Sequence, residues 1–110
     1  MPWKQVTIER ALEPESLLEL LQEGVKGSLS RYTHYDIMDW ARRYAEAMQK
    51  EAPLASDNLR YWQVADDMTL RWELHIASTY TIEEMKRFSH VDILLPKHYF
   101  QNWLSWLNEA

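Results

Sequence analysis

From Met68 to Ala77 the chain reads MTLRWELHIA, in which Met68, Leu70, Trp72, Leu74 and Ile76 alternate with Thr69, Arg71, Glu73, His75 and Ala77. A period of two is the mark of a strand with one buried face, because successive side chains of a strand point to opposite sides. A partner strand lies directly upstream. With Asp66-Asp67 as a two-residue turn, Ala65 stands opposite Met68, Gln63 opposite Leu70, Tyr61 opposite Trp72 and Leu59 opposite Leu74. That register gathers nearly all the apolar residues on one face. On the other it sets Arg60 opposite Glu73 and Trp62 opposite Arg71, a charge pair and a cation–π pair. The segment predicts a β-hairpin near residues 59–77, with Trp72 in the core and Trp62 on the outer face. Asp-Asp is not the Asn-Gly or Asp-Gly that such turns favour, which bears on the loop rather than on the strands.

Around this hairpin the chain reads mostly as helix. Val6 and Ile8 alternate within Trp3 to Glu9, which predicts a short first strand. Pro14 suits the first position of a helix, with Glu13 and Glu15 at the positive end of its dipole. Leu17, Leu18, Leu21 and Val25 make its apolar stripe, and Gly24 and Gly27 mark its far end. Thr33 with Asp36 predicts a capped second helix. It carries Ile37, Ala41, Tyr44, Ala45 and Met48 on one face, Asp36, Asp39, Arg43 and Glu46 on the other, and ends by Pro53. Thr81-x-x-Glu84 is a capping box that opens a short helix through Phe88. Val91 to Leu95 reads as a last strand stopped by Pro96, after which Phe100, Trp103, Leu104 and Leu107 fall at helical spacing. The predicted fold class is α+β: a small antiparallel sheet, its hairpin near 59–77, with about four helices packed on one face. At 110 residues the chain is expected to form a single globular domain, 1–110, that buries a core without metal or disulfide support.

The net charge is −5. Nucleic-acid affinity rests mainly on Lys and Arg against phosphate, so direct DNA or RNA binding is not expected, and a basic protein partner is. Without cysteine the chain has no disulfide, thiolate metal site or cysteine nucleophile. The longest apolar run, Ile93-Leu94-Leu95, is too short to span a bilayer, and MPWKQVTIER lacks the apolar core of a secretory signal. The expectation is a cytoplasmic protein without membrane association.

Candidate chemistry is sparse. Two glycines cannot make a Gly-rich phosphate loop or a dinucleotide fingerprint, and the G-x-S-x-G, H-E-x-x-H and EF-hand patterns do not occur. His34-x-Asp36, Glu73-x-His75 and His90-x-Asp92 each place an imidazole two residues from a carboxylate. On a strand that spacing puts both groups on one face, as a metal site or an acid–base dyad requires. Capping at Asp36 and solvation of a polar sheet face account for the same residues without chemistry. A metal-dependent or acid–base enzyme would draw on His75, His90, His98, Glu73 and Asp92.

Two other features point to contact rather than catalysis. Glu15, Glu19 and Glu23 recur every fourth residue as an acidic stripe along the first helix. Six tryptophans are the compositional oddity, and tryptophan is enriched at interfaces as well as in cores. Trp103 falls within the apolar stripe of the last helix, while Tyr99 and Trp106 widen that stripe beyond what one sheet face needs. Trp62 stands on the polar side of the hairpin with Arg71 and Glu73, and Trp40, beside Tyr44, fits a core or a surface. Together these predict a small acidic, non-catalytic protein-binding domain, most concretely an inhibitor or immunity-type partner of a basic protein. Its contact residues would be Glu15, Glu19, Glu23, Trp62, Arg71, Glu73 and Trp106, with no cofactor and no metal. The alternative is a homo-oligomeric domain, most simply a homodimer, with a small-molecule cleft.

Overall fold

The computed structural model describes residues 8–50, 56–87 and 93–108. Their helices are α1 (Pro14–Val25), α2 (His34–Gln49), α3 (Ser56–Thr79), α4 (Ile82–Arg87) and α5 (Lys97–Asn108), with a short 3-10 turn, Gly27–Leu29, after the first. No strand occurs among the described residues. The local helix signals act as the sequence predicts. Pro14 opens α1, where a backbone N–H would have no partner within the helix. The Thr33 hydroxyl accepts the Asp36 N–H at 3.0 Å and caps α2. In the capping box of α4, Glu84 N–H donates to the Thr81 hydroxyl and Thr81 N–H to the Glu84 carboxylate, both at 3.1 Å. Gly27 follows α1 with φ 61°, a left-handed conformation that suits glycine.

The predicted α+β fold is overturned: the chain is an all-α helical bundle over the described residues, because residues 59–77 form no hairpin and lie inside α3. Met68, Trp72 and Ile76 recur every fourth residue, a spacing that shares one face on a strand and on a helix alike. The residues between them separate the two periods. A strand would bury Leu70 and Leu74 beside Met68 and Trp72, yet each of these leucines is 52% exposed. The buried residues are Val64, Ala65, Met68 and Trp72, at helical spacing. Asp66-Asp67 has no glycine to take a positive φ and does not turn the chain. Instead Asp67 pairs with Arg71 one helical turn on, Oδ1 to Nε at 3.7 Å. The whole run 56–79 lacks Gly and Pro, so nothing interrupts a helix once it has started. The cross-strand pairs Arg60–Glu73 and Trp62–Arg71 fall with the hairpin.

The other two predicted strands lie partly outside the described residues, and their remaining parts are irregular. Upstream of α1, the Ile8 carbonyl accepts from Arg43 Nη2 at 2.9 Å, and the Arg10 carbonyl from the Trp40 indole N–H at 3.2 Å. Side chains of α2 thus take the backbone groups that a neighbouring strand was expected to take. Upstream of α5, Ile93 and Leu95 are buried and Leu94 is exposed, but the Leu95 N–H donates to the His34 ring rather than to a strand. Phe88, Val91 and Asp92 lie outside the described residues.

Helix α2 packs most extensively on α3, and α1 on α5, with smaller contacts joining the two pairs. The core draws Leu17, Leu20 and Leu21 from α1, Ile37, Trp40, Ala41 and Tyr44 from α2, Val64 and Met68 from α3, and Phe100 and Trp103 from α5. The 24 residues of α3 span about 36 Å in a molecule of 42 × 26 × 25 Å. Gly24 lets α1 approach α5: a Cβ there would lie 2.2 Å from the Phe100 ring. Buried His34 fastens the same corner. Its Nδ1 accepts the Leu95 N–H at 2.8 Å, so Nε2 carries the proton and donates to the Gly24 carbonyl at 3.0 Å. Burial in this apolar corner lowers the His34 pKa to about 4. Among the described residues no helix is long and apolar enough to cross a membrane.

Candidate functional site

The candidate surface is built on α3, whose inner side faces the core through Val64, Met68 and Trp72. A helix turns roughly 100° per residue, so Asp66, Leu70, Glu73, Leu74 and Ala77 form the opposite, solvent-facing ridge, and all five are exposed. On one flank of this ridge, α3 and α5 enclose a cleft of about 460 Å³. Asp67 and Arg71 line it from α3, and His98, Tyr99, Asn102, Trp103 and Trp106 from one face of α5. On the other flank, α2 and α3 leave two adjoining hollows of about 230 and 380 Å³ that share Tyr35, Trp72 and Glu73. Met38 and Arg42 extend the first, and Ile76 and Met85 the second.

The α3–α5 cleft is ordered by hydrogen bonding and ring contacts. The Trp103 indole N–H donates to Asp67 Oδ2 at 2.8 Å, while Arg71 stands off at 3.7 Å from the other carboxylate oxygen. Tyr99 packs against the His98 ring, with centroids 4.7 Å apart, and against the Trp103 and His75 rings, each at 6.2 Å. His75 also meets the Tyr80 ring edge-on at 6.2 Å, and burial there lowers its pKa.

The residues singled out in the sequence end up in three places. Arg71 and Trp106 both line the α3–α5 cleft, and Glu73 lines the groove on the opposite flank. Trp62 is away from both; it is half-buried, and its indole N–H donates to the Ala45 carbonyl of α2 at 3.1 Å. That ring serves the packing of α3 on α2. Glu15, Glu19 and Glu23 lie along α1, but the chain supplies its own cations to two of them. Glu19 pairs with Arg10, and Glu23 pairs with Lys26 at 2.6 Å and accepts the Arg31 N–H at 2.9 Å. The Arg31 N–H, and then Lys26, hold the Glu23 carboxyl below its usual range. Glu15 is exposed.

Among the described residues no three His, Asp or Glu side chains gather in a group able to hold a metal ion. Glu73 and His75, two residues apart on a helix rather than on a strand, point roughly 200° apart. His34 has both ring nitrogens engaged, and His90 and Asp92 lie outside the described residues. The sequence reading missed Asp67, which it placed in a turn, and the ridge leucines, which it placed in the core. The Asp67–Arg71 spacing and the absence of Gly and Pro from 56–79 were the signals for both. Comparison with protein-family models, curated proteins and solved structures returns no match for this chain.

Proposed function

We propose that this chain is a cytoplasmic, non-catalytic protein-binding domain for a partner that carries basic groups, and that the partner seats on the outer ridge of α3. The observation behind this reading is the pair Leu70 and Leu74, one turn apart and both exposed on a helix whose other side is already anchored in the core. Neither leucine belongs to the core of the described residues. Burying a leucine side chain against a partner contributes about 1.5–3 kcal/mol. Asp66 and Glu73 stand beside the leucines, and with a net charge of −5 they favour a basic partner, whose approach complementary charge accelerates. The hollow beside the ridge on the α2 flank, lined by Tyr35, Trp72 and Ile76, offers a pocket of the kind in which interface anchors concentrate. An inhibitor or immunity-type role is the concrete form of this reading.

The test is affinity capture from source cells, identification of the captured proteins, and remeasurement of binding with purified components. The Leu70→Lys/Leu74→Lys variant should lose the partner while keeping its melting transition and helical circular dichroism. Reversing Glu15, Glu19 and Glu23 to Lys tests the α1 stripe separately. Binding that ignores the ridge variant would place the interface elsewhere. A wild-type dimer in light scattering that the ridge variant dissociates, with no heteromeric partner, would replace this reading with the homo-oligomeric one.

A further inference from the structure

We infer that the cleft between α3 and α5 is a binding site for a small planar aromatic molecule bearing one carboxylate, distinct from the ridge that seats a protein. Its volume, about 460 Å³, lies within the range of small-ligand sites. Its lining divides into two parts. Tyr99 and Trp106, both partly exposed, offer ring surfaces for an aromatic body, with the buried Trp103 ring in the wall behind them, and Arg71 and Asn102 offer donors for a polar end. The charges decide the sign of that end. Asp67 is the one carboxylate among the lining residues, with one oxygen taken by the Trp103 indole N–H and the other facing Arg71. A cationic ligand would have to displace Arg71 from it. Arg71 itself is only loosely held: its Nε is 3.7 Å from Asp67, and no hydrogen bond among the described residues saturates its terminal nitrogens. A planar guanidinium with its fork open matches a carboxylate in shape and charge. One arginine in a chain of net charge −5 matches a single negative charge better than a phosphate dianion.

The probe is indole-3-acetate, titrated into the full chain while the indole N–H resonances of Trp103 and Trp106 are followed, each assigned from its Phe variant. Those two resonances should shift together and saturate, whereas the Trp40 resonance, deep in the core, should not. Arg71→Gln, at an exposed position, should weaken binding by about ten-fold, the weight of one charge-assisted hydrogen bond. Tryptamine, with the same ring and a cation in place of the carboxylate, should bind more weakly than indole-3-acetate by a similar factor. The inference fails if neither resonance moves at millimolar probe, if tryptamine binds as tightly, or if Arg71→Gln leaves the affinity unchanged.

Discussion

Helices α2 and α3 pack against each other, yet their solvent sides are finished in different ways. Along α2, Arg42 reaches Asp39 at 2.9 Å and Glu46 at 3.1 Å, and Arg43 reaches Asp39 at 3.2 Å. Its outer face carries charge pairs one turn apart, each of which contributes only a few tenths of a kcal/mol, roughly 0.3–0.5, and none of its large apolar residues is as exposed as Leu70 or Leu74. Along α3 the corresponding face carries Leu70 and Leu74, and the one described ion pair of that helix, Asp67–Arg71, is loose at 3.7 Å. The inner faces do not differ in kind: Trp40 and Tyr44 stack at 5.2 Å in one, and Val64, Met68 and Trp72 fill the other. Most polar groups of α2 are paired within the fold, the buried Tyr44 hydroxyl being an exception, whereas α3 keeps two leucines outside the core of the described residues. That asymmetry is why α3, rather than the acidic α1, carries the functional reading.

The largest expected effects test whether the two inner faces are equivalent. Trp40→Ala removes a buried ring and the indole donor to the Arg10 carbonyl, and Trp72→Ala removes the matching ring from α3. Each should cost about 3–5 kcal/mol in urea unfolding. A mild Trp72→Ala beside a severe Trp40→Ala would break the comparison, since α3 would then be weakly anchored on both of its sides.

Acid should expose the next difference, because α2 carries a buried neutral imidazole and α3 only the partly buried His75. In the unfolded chain His34 takes up a proton near its ordinary 6.5, whereas in the folded chain it resists protonation down to about 4. The unfolded state therefore binds the extra proton between those values. Stability is intact above pH 6.5 and falls as the pH drops toward 4, by about 3 kcal/mol from this group. The burial-lowered pKa of His75 contributes with the same sign. Unfolding free energies measured from pH 7 to 4 should therefore decline in the wild type, and His34→Gln should remove most of that slope. An unchanged slope in the variant would deny His34 this role.

The smallest effect is the most discriminating for α3. Leu70→Gln and Leu74→Gln should each change stability by no more than about 0.5 kcal/mol, as exposed substitutions do. If these leucines faced a core, as the alternating pattern predicts, each substitution would remove buried apolar volume and cost several times as much, about 2–5 kcal/mol. Chemical denaturation of the two variants separates the alternatives directly.

Much of the helical framework was legible because its signals act within a single turn. Pro14, the Thr33 hydroxyl and the Thr81–Glu84 box start helices where the sequence places them, since each satisfies backbone groups only a few residues away. Ile37, Ala41, Tyr44 and Ala45 of α2 and the buried residues Phe100, Trp103 and Leu107 of α5 were legible from the helical period, whereas Asp36, expected on the outer face of α2, is buried, and Met48, expected in the stripe, is only partly so. Residues 59–77 were not legible in the same way. Met68, Trp72 and Ile76 satisfy both periods, and the choice between them turned on whether Leu70 and Leu74 are buried, which local patterning does not decide. The assembly of the cleft was equally out of reach. Arg71 and Trp106 were each marked in the sequence, but the Asp67–Trp103 hydrogen bond that joins their helices connects positions far apart in the chain. What the sequence alone determined is where α1, α2 and α4 begin and which residues are apolar; the tertiary structure decided which apolar residues leave water, because burial belongs to a pair of packed surfaces and not to either one.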